Sequence, residues 1–207
     1  MSGLRDQLSL LREFLRSDFK KSVLHCALAM ACAIALGVVA GLLSPETVEM
    51  ALKAFMEMVE EAGVMDQEGN LSVFGLLMNN WRAMLTAAAC GFLPFVFLPA
   101  LSLASNGFLI GIMAAWYHAN GMSMALYLAG LLPHGIFELP ALILSIACGV
   151  RLCRNMCMVV TSSPRRIPMV ELLSDLLRVL LLLVAPMTVA AALLEAYVTP
   201  LVMGLFL

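Results

Sequence analysis

The residues with the most chemistry to offer are His134 and Glu138, within Pro133-His134-Gly135-Ile136-Phe137-Glu138-Leu139-Pro140. Between Arg82 and Arg151, Glu138 is the only formally charged residue. A carboxylate at membrane depth costs at least about 2.5 kcal/mol on insertion scales, so it persists with a partner, a proton or a water-lined cavity. On a helix, a separation of four puts imidazole and carboxylate on one face, one turn apart, where they can share a hydrogen bond or a proton. That pattern suits a structural lock or a proton or ion site. It does not suit a zinc hydrolase, because glutamate stands where H-E-x-x-H has its second histidine, and no other acidic ligand lies in this stretch.

Other catalytic patterns are weaker still. There is no G-x-S-x-G nucleophile elbow. Glu60-Glu61 is a paired glutamate of the kind found in some membrane proteases, but no arginine follows at helical spacing. Cys153 and Cys157 stand one helical turn apart without a nearby histidine or third thiol, and read as small buried apolar residues. The six cysteines fall in or beside apolar stretches, which excludes a disulfide framework of the secreted kind. The chain is therefore read as non-enzymatic, with no catalytic residue, cofactor or metal and no nucleic-acid partner.

The elements that must position these residues follow from composition. The 207 residues are 62% hydrophobic and 13% charged, with mean hydropathy +0.98; a soluble domain carries about a quarter charged residues. An all-α polytopic transmembrane bundle is expected. Spans are placed at about 22–43, 83–98, 100–117, 122–150 and 176–198, forming a single membrane domain over 22–207. The segment from Ser22 to Leu43 is too long for a signal-peptide core and lacks an A-x-A site, so it reads as a retained first span. Within it Ala29, Ala33, Gly37 and Gly41 recur every four residues, a close-packing face for another span or for a second copy in a homo-oligomer.

Before that span, residues 1–21 form a cytoplasmic amphipathic segment, with Leu8, Leu11, Leu15 and Phe19 on one side and Arg5, Arg12, Arg16, Lys20 and Lys21 on the other. It is expected on the lipid surface, with its basic residues keeping the N-terminus inside. Ser44, Pro45 and Glu46 signal the start of an outer acidic helix over 45–62. Its apolar side is Val48, Leu52, Phe55, Val59 and Ala62; Glu49, Glu57, Glu60 and Glu61 lie opposite, as candidates for docking a partner. A polar turn is placed at Asp66–Asn70.

Asn79 and Asn80 stand where the chain re-enters the membrane, beside the interfacial pair Trp81 and Arg82, and Asn106-Gly107 begins a third span. Residues 122–150 would make a helix of about 43 Å, more than the ~30 Å hydrocarbon core. Either that span is tilted and kinked, or, the preferred reading, it is broken where Gly130, Pro133 and Gly135 cluster. Arg151, Arg154, Arg165 and Arg166 then make 151–175 a cytoplasmic basic loop. A last span kinked at Pro186 leaves five crossings and the C-terminus outside.

The core resembles a known family at Asn79-Asn80, Gly91, Asn106-Gly107 with Gly111, Pro133-His134-Gly135 with Glu138, and Gly149. These look like the signature positions of the stage II sporulation protein M family, over about Phe74 to Leu152. The resemblance implies a non-enzymatic five-span protein of the bacterial cytoplasmic membrane. In the family's namesake it implies a scaffold for two extracytoplasmic peptidoglycan hydrolases, an amidase and a lytic transglycosylase, during forespore engulfment. Members also occur outside spore-formers. On this reading Asn79, Asn80, Asn106, Gly107, His134, Gly135 and Glu138 form a polar structural core. The competing reading is a transporter or channel subunit with a proton or ion site at His134 and Glu138.

Overall fold

The computed structural model describes residues 3–62 and 72–206, and no strand occurs among them. Among the described residues four helices are long and apolar enough to cross a membrane: Phe19–Leu43 (α2), Leu98–Ala119 (α5), Met124–Val160 (α6) and Met169–Met203 (α7). The others are α1 (Leu4–Arg16), α3 (Pro45–Ala62) and α4 (Val73–Ala89).

Helices α2 and α5 pack against each other at backbone level. A methyl added at Gly37 or Gly111 would run into a carbonyl of the other helix, Phe108 O or Ile34 O, and one at Gly107 would sit 2.8 Å from Ala33 Cβ. Position 33 meets 107 and position 41 meets Ala115, so the two helices run parallel. The small-residue face of α2 is thus filled within the chain, through Ala33, Gly37 and Gly41; Ala29 stays exposed.

The amphipathic start forms as expected, but its apolar stripe is not simply laid on lipid. Leu11 and Phe14 are buried in one cluster with Leu172, Leu176 and Val179 at the start of α7, and Phe14 stacks on Phe19 at 4.7 Å. Arg178 Nε donates to Gln7 Oε1 at 2.7 Å across this contact. Two amphipathic helices with facing stripes cover each other, while Leu4, Leu8 and Leu10 remain exposed.

Helix α3 begins as the sequence indicates, with Ser44 Oγ accepting the Thr47 N–H at 3.2 Å. Val48 is buried beside Gly41, anchoring α3 on the ends of α2 and α5. The side chains of Val59 and Ala62, and the turn at Asp66–Asn70, lie outside the described residues.

Two boundaries differ from expectation. A helix over 83–98 does not form: α4 starts at Val73, capped by Ser72 Oγ accepting from the Gly75 N–H at 3.1 Å, and ends at Ala89 in a tight turn over Cys90–Phe92. Pro94 lacks the N–H a helix needs there, Phe95 and Phe97 adopt φ of 67° and 50°, and Pro99 sits in the first turn of α5, where no N–H is needed. Cys153 Sγ–H donates to Leu93 O at 3.2 Å, and the Phe95 N–H donates to Cys157 Sγ at 3.1 Å. Those two cysteines hold this turn and are more than packing.

The second difference is α6. It runs unbroken through Pro133 and Pro140 for 37 residues, about 55 Å at ~1.5 Å per residue. A break would expose carbonyls and amides to an apolar surrounding that cannot satisfy them, so the helix tolerates its prolines. The preferred break at Pro133 is therefore absent. The expected loop over 151–175 shrinks to 161–168, because Arg151 and Arg154 belong to α6. Fully buried Asn155 pins that loop, donating from Nδ2 to Ile167 O at 3.1 Å and accepting the Ile167 N–H on Oδ1 at 2.8 Å.

In α7 the prolines are handled differently. Wide π turns over Leu180–Val184 and Leu194–Val198 each close two residues before a proline, Pro186 and Pro200. The wider turn relieves the clash between the proline ring and the carbonyl four residues back.

Candidate functional site

The prolyl stretch of α6 faces the C-terminal part of α7. A methyl on Gly130 would lie 3.3 Å from Met203 Sδ, and His134 Nδ1 is 3.2 Å from Thr199 Oγ1, so α6 and α7 run antiparallel here. His134 and Glu138 share a face as the spacing requires, with Nε2 and Oε2 3.8 Å apart.

A third residue completes the cluster. Glu195, on the second π turn, brings a carboxylate oxygen so that the ligand atoms of His134, Glu138 and Glu195 all lie within 4.8 Å of one another. The three side chains are half-buried. Among the described residues neither carboxylate pairs with a lysine or arginine; the ion pairs there are Lys21–Asp18, Arg178–Asp175 and His134–Glu138 itself. Chemically, the arrangement can share protons or coordinate a cation.

Sequence reasoning missed Glu195, although a signal existed. It is the only charged residue after Arg178, as Glu138 is between Arg82 and Arg151. Two isolated carboxylates that must both avoid lipid have good reason to meet.

The other expected polar positions do not join this cluster. Asn106 is exposed and bonds its own helix, Nδ2 to Ser102 O at 2.8 Å. Asn79 lines an open groove between α4 and α5 with Arg82, Thr86 and Ser102. Asn80 is buried, and its Nδ2 has no hydrogen-bond partner among the described residues. Gly107 works at the α2–α5 contact, whereas Gly135 is buried with room for a methyl, its nearest neighbours Leu131 and Leu139 of its own helix at 3.7 Å or more.

Around the cluster, α4 is strapped to both neighbours. Ser145 Oγ donates to Met84 O at 2.5 Å, joining α6 to α4. Trp81 Nε1 donates at 2.9 Å to the fully buried Thr188 Oγ1 of α7. Gly91 and Gly149 meet so closely that a methyl at Gly91 would strike the Gly149 carbonyl, and one at Gly149 would strike the Ala87 carbonyl and Pro99. Of the glycines at signature positions, Gly107 and Gly111 sit where α2 packs on α5, and Gly91 and Gly149 where the end of α4 and its closing turn meet α6; Gly135 sits at neither contact.

A family model described as Stage II sporulation protein M matches residues 19–200, which takes in α2 to α7 and every one of these positions. The chain belongs to that family. An uncharacterized protein of Methanocaldococcus jannaschii is 27% identical over 125 residues, covering 60% of this chain and 69% of that protein. No solved structure matches the chain. Family membership and four apolar helices of spanning length make this a membrane protein.

The acidic face proposed for docking is open. Glu49, Glu57, Glu60 and Glu61 are all exposed on α3, as are Met50, Met56 and Met58 between them. The comparisons name no ligand for either α3 or the His134 cluster.

Proposed function

We propose that the protein is a non-enzymatic scaffold of the bacterial cytoplasmic membrane that recruits extracytoplasmic peptidoglycan hydrolases, an amidase or a lytic transglycosylase. The reading rests on membership of the Stage II sporulation protein M family, and the observation that carries it is α3. That helix is anchored by Val48 yet leaves an acidic, methionine-bearing face uncovered. Methionine is adaptable at interfaces, and carboxylates steer a basic partner.

In the topology that goes with this role the basic end is cytoplasmic. It gathers α1, Arg151, Arg154, Arg165 and Arg166, and α3 then lies outside. Helix α4 is taken as a fifth crossing between α2 and α5, a reading supported by their parallel course, since two helices that point the same way need an odd number of passes between them. Cross-linking in the native host, detergent purification and mass spectrometry test the reading. Wall hydrolases should co-purify with the wild type and be lost when Glu57, Glu60 and Glu61 become lysine. Their absence from the wild-type sample sinks the proposal.

A second reading is favoured by a specific observation, the His134–Glu138–Glu195 cluster. Ionisable residues at membrane depth mark ion or proton pathways in transporters and channels. Proteoliposome flux that responds to Glu138→Gln, with α3 charge reversal having no effect, would favour that role over the scaffold.

A further inference from the structure

We infer that His134, Glu138 and Glu195 form a divalent-metal site of the zinc type, tying α6 to the C-terminal part of α7. The inference goes beyond the scaffold reading and stands whether or not that reading holds.

Geometry supplies the first support. One imidazole nitrogen and two carboxylate oxygens converge from two helices, all within 4.8 Å of one another, with the His134–Glu138 edge at 3.8 Å. Bonds of about 2.0–2.1 Å to a tetrahedral ion place its ligand atoms about 3.3 Å apart, so rotamer adjustment alone closes the remaining distance. Three protein ligands leave a fourth position for water, which is the ligand count of an open zinc site.

His134 supplies the second. In the tautomer where Thr199 Oγ1 accepts from Nδ1–H at 3.2 Å, Nε2 carries its lone pair and faces Glu138. Metal-binding histidines are oriented in this way by a second bond from the far ring nitrogen. Thr199 is itself buried, so this orienting bond is shielded from competing water.

Charge supplies the third and decides the class of ion. Two carboxylates meet where no lysine or arginine pairs with either among the described residues. A divalent cation with a neutral imidazole makes the group neutral overall, removing the penalty of facing two anions in apolar surroundings. Magnesium and calcium favour six or more oxygen ligands, whereas an imidazole in a small donor set suits zinc.

The test uses the full chain purified in detergent, stripped with a chelator and titrated with zinc by calorimetry and with cobalt by visible absorption. One equivalent of each should bind, cobalt giving the strong visible bands of a four-coordinate site that zinc then displaces. His134→Gln and Glu195→Gln should each weaken binding at least tenfold, and Thr199→Val by about tenfold through loss of the orienting bond. Glu195→Asp, which keeps a carboxylate, and Thr199→Val, which removes no ligand, keep the idea exposed to failure if the larger changes prevent folding. Absence of saturable binding in the wild type, as expected if the carboxylates are simply protonated, overturns the inference. So does binding that none of these substitutions weakens.

Discussion

Substituting alanine for glycine should have opposite effects at two buried glycines of this protein. At Gly111 the new methyl would meet the Ile34 carbonyl and lie 2.7 Å from Val38 N and 2.9 Å from the Gly37 carbonyl carbon, all backbone of α2. Contact distances of about 3.5 Å, set by the Ile34 carbonyl as the nearest atom, require the helices to part by more than about 1 Å, and a gap of that size forfeits about half of each dispersion contact along the seam. Overpacking of this kind costs about 3 kcal/mol, offset by about 1 kcal/mol of helix propensity gained over glycine. The net loss of about 2 kcal/mol corresponds to a Tm lower by roughly 4–8 °C in a chain of this size. At Gly135 the same methyl finds ordinary contacts of 3.7 Å or more, so the propensity gain stands alone and Tm should rise by about 1–4 °C. Fluorescence-detected thermal unfolding of both variants in one detergent reads the difference. Equal shifts of the same sign would refute the claim that backbone contact, rather than glycine content, holds α2 to α5.

Three further outcomes are expected. Thr188→Val leaves the Trp81 indole N–H without its buried acceptor and should cost about 1–3 kcal/mol, with the Trp81→Phe/Thr188→Val double variant recovering part of it in the same unfolding assay. Asn155→Ala removes both bonds to Ile167 and should speed tryptic cleavage after the exposed Arg165 and Arg166, measured by gel against the wild type. Lysine at Glu57, Glu60 and Glu61 should leave Tm within about 2 °C of the wild type, since exposed charges contribute little to stability; a larger drop would mean that the outer face of α3 is structural.

Reading the sequence located the elements whose signals are local. Ser44 and Pro45 marked α3, the unbroken apolar run marked α2, and the four-residue spacing of His134 and Glu138 put them on one face. The failures came where distant residues decide. The cluster of Gly130, Pro133 and Gly135 suggests a break, but α6 runs through it, because a break would leave backbone groups unsatisfied in apolar surroundings. The real interruption lies at 93–97, where Pro94 coincides with a turn that Cys153 and Cys157 of another helix hold in place. Glu195 was visible as an isolated charge, but its meeting with Glu138 depends on the antiparallel docking of α7 on α6, and no spacing within either helix encodes that. Asn155 likewise reads as one more polar residue beside a basic loop, until its two bonds to Ile167 are seen.

The parallel pairing of α2 with α5 also has a consequence for biogenesis. The groove around Gly41 is made well before the surface that fills it, since Ala115 follows 74 residues later (115 − 41). At about 5–20 residues per second of synthesis, α2 spends roughly 4–15 s with its glycine face open. During that interval lipid chains, or a membrane chaperone, must occupy a groove shaped for a helix, and the arrival of α5 has to displace them. Insertion of this protein is therefore a competition for one surface, and a substitution that fills the groove would act during synthesis, before the finished bundle exists to be destabilised.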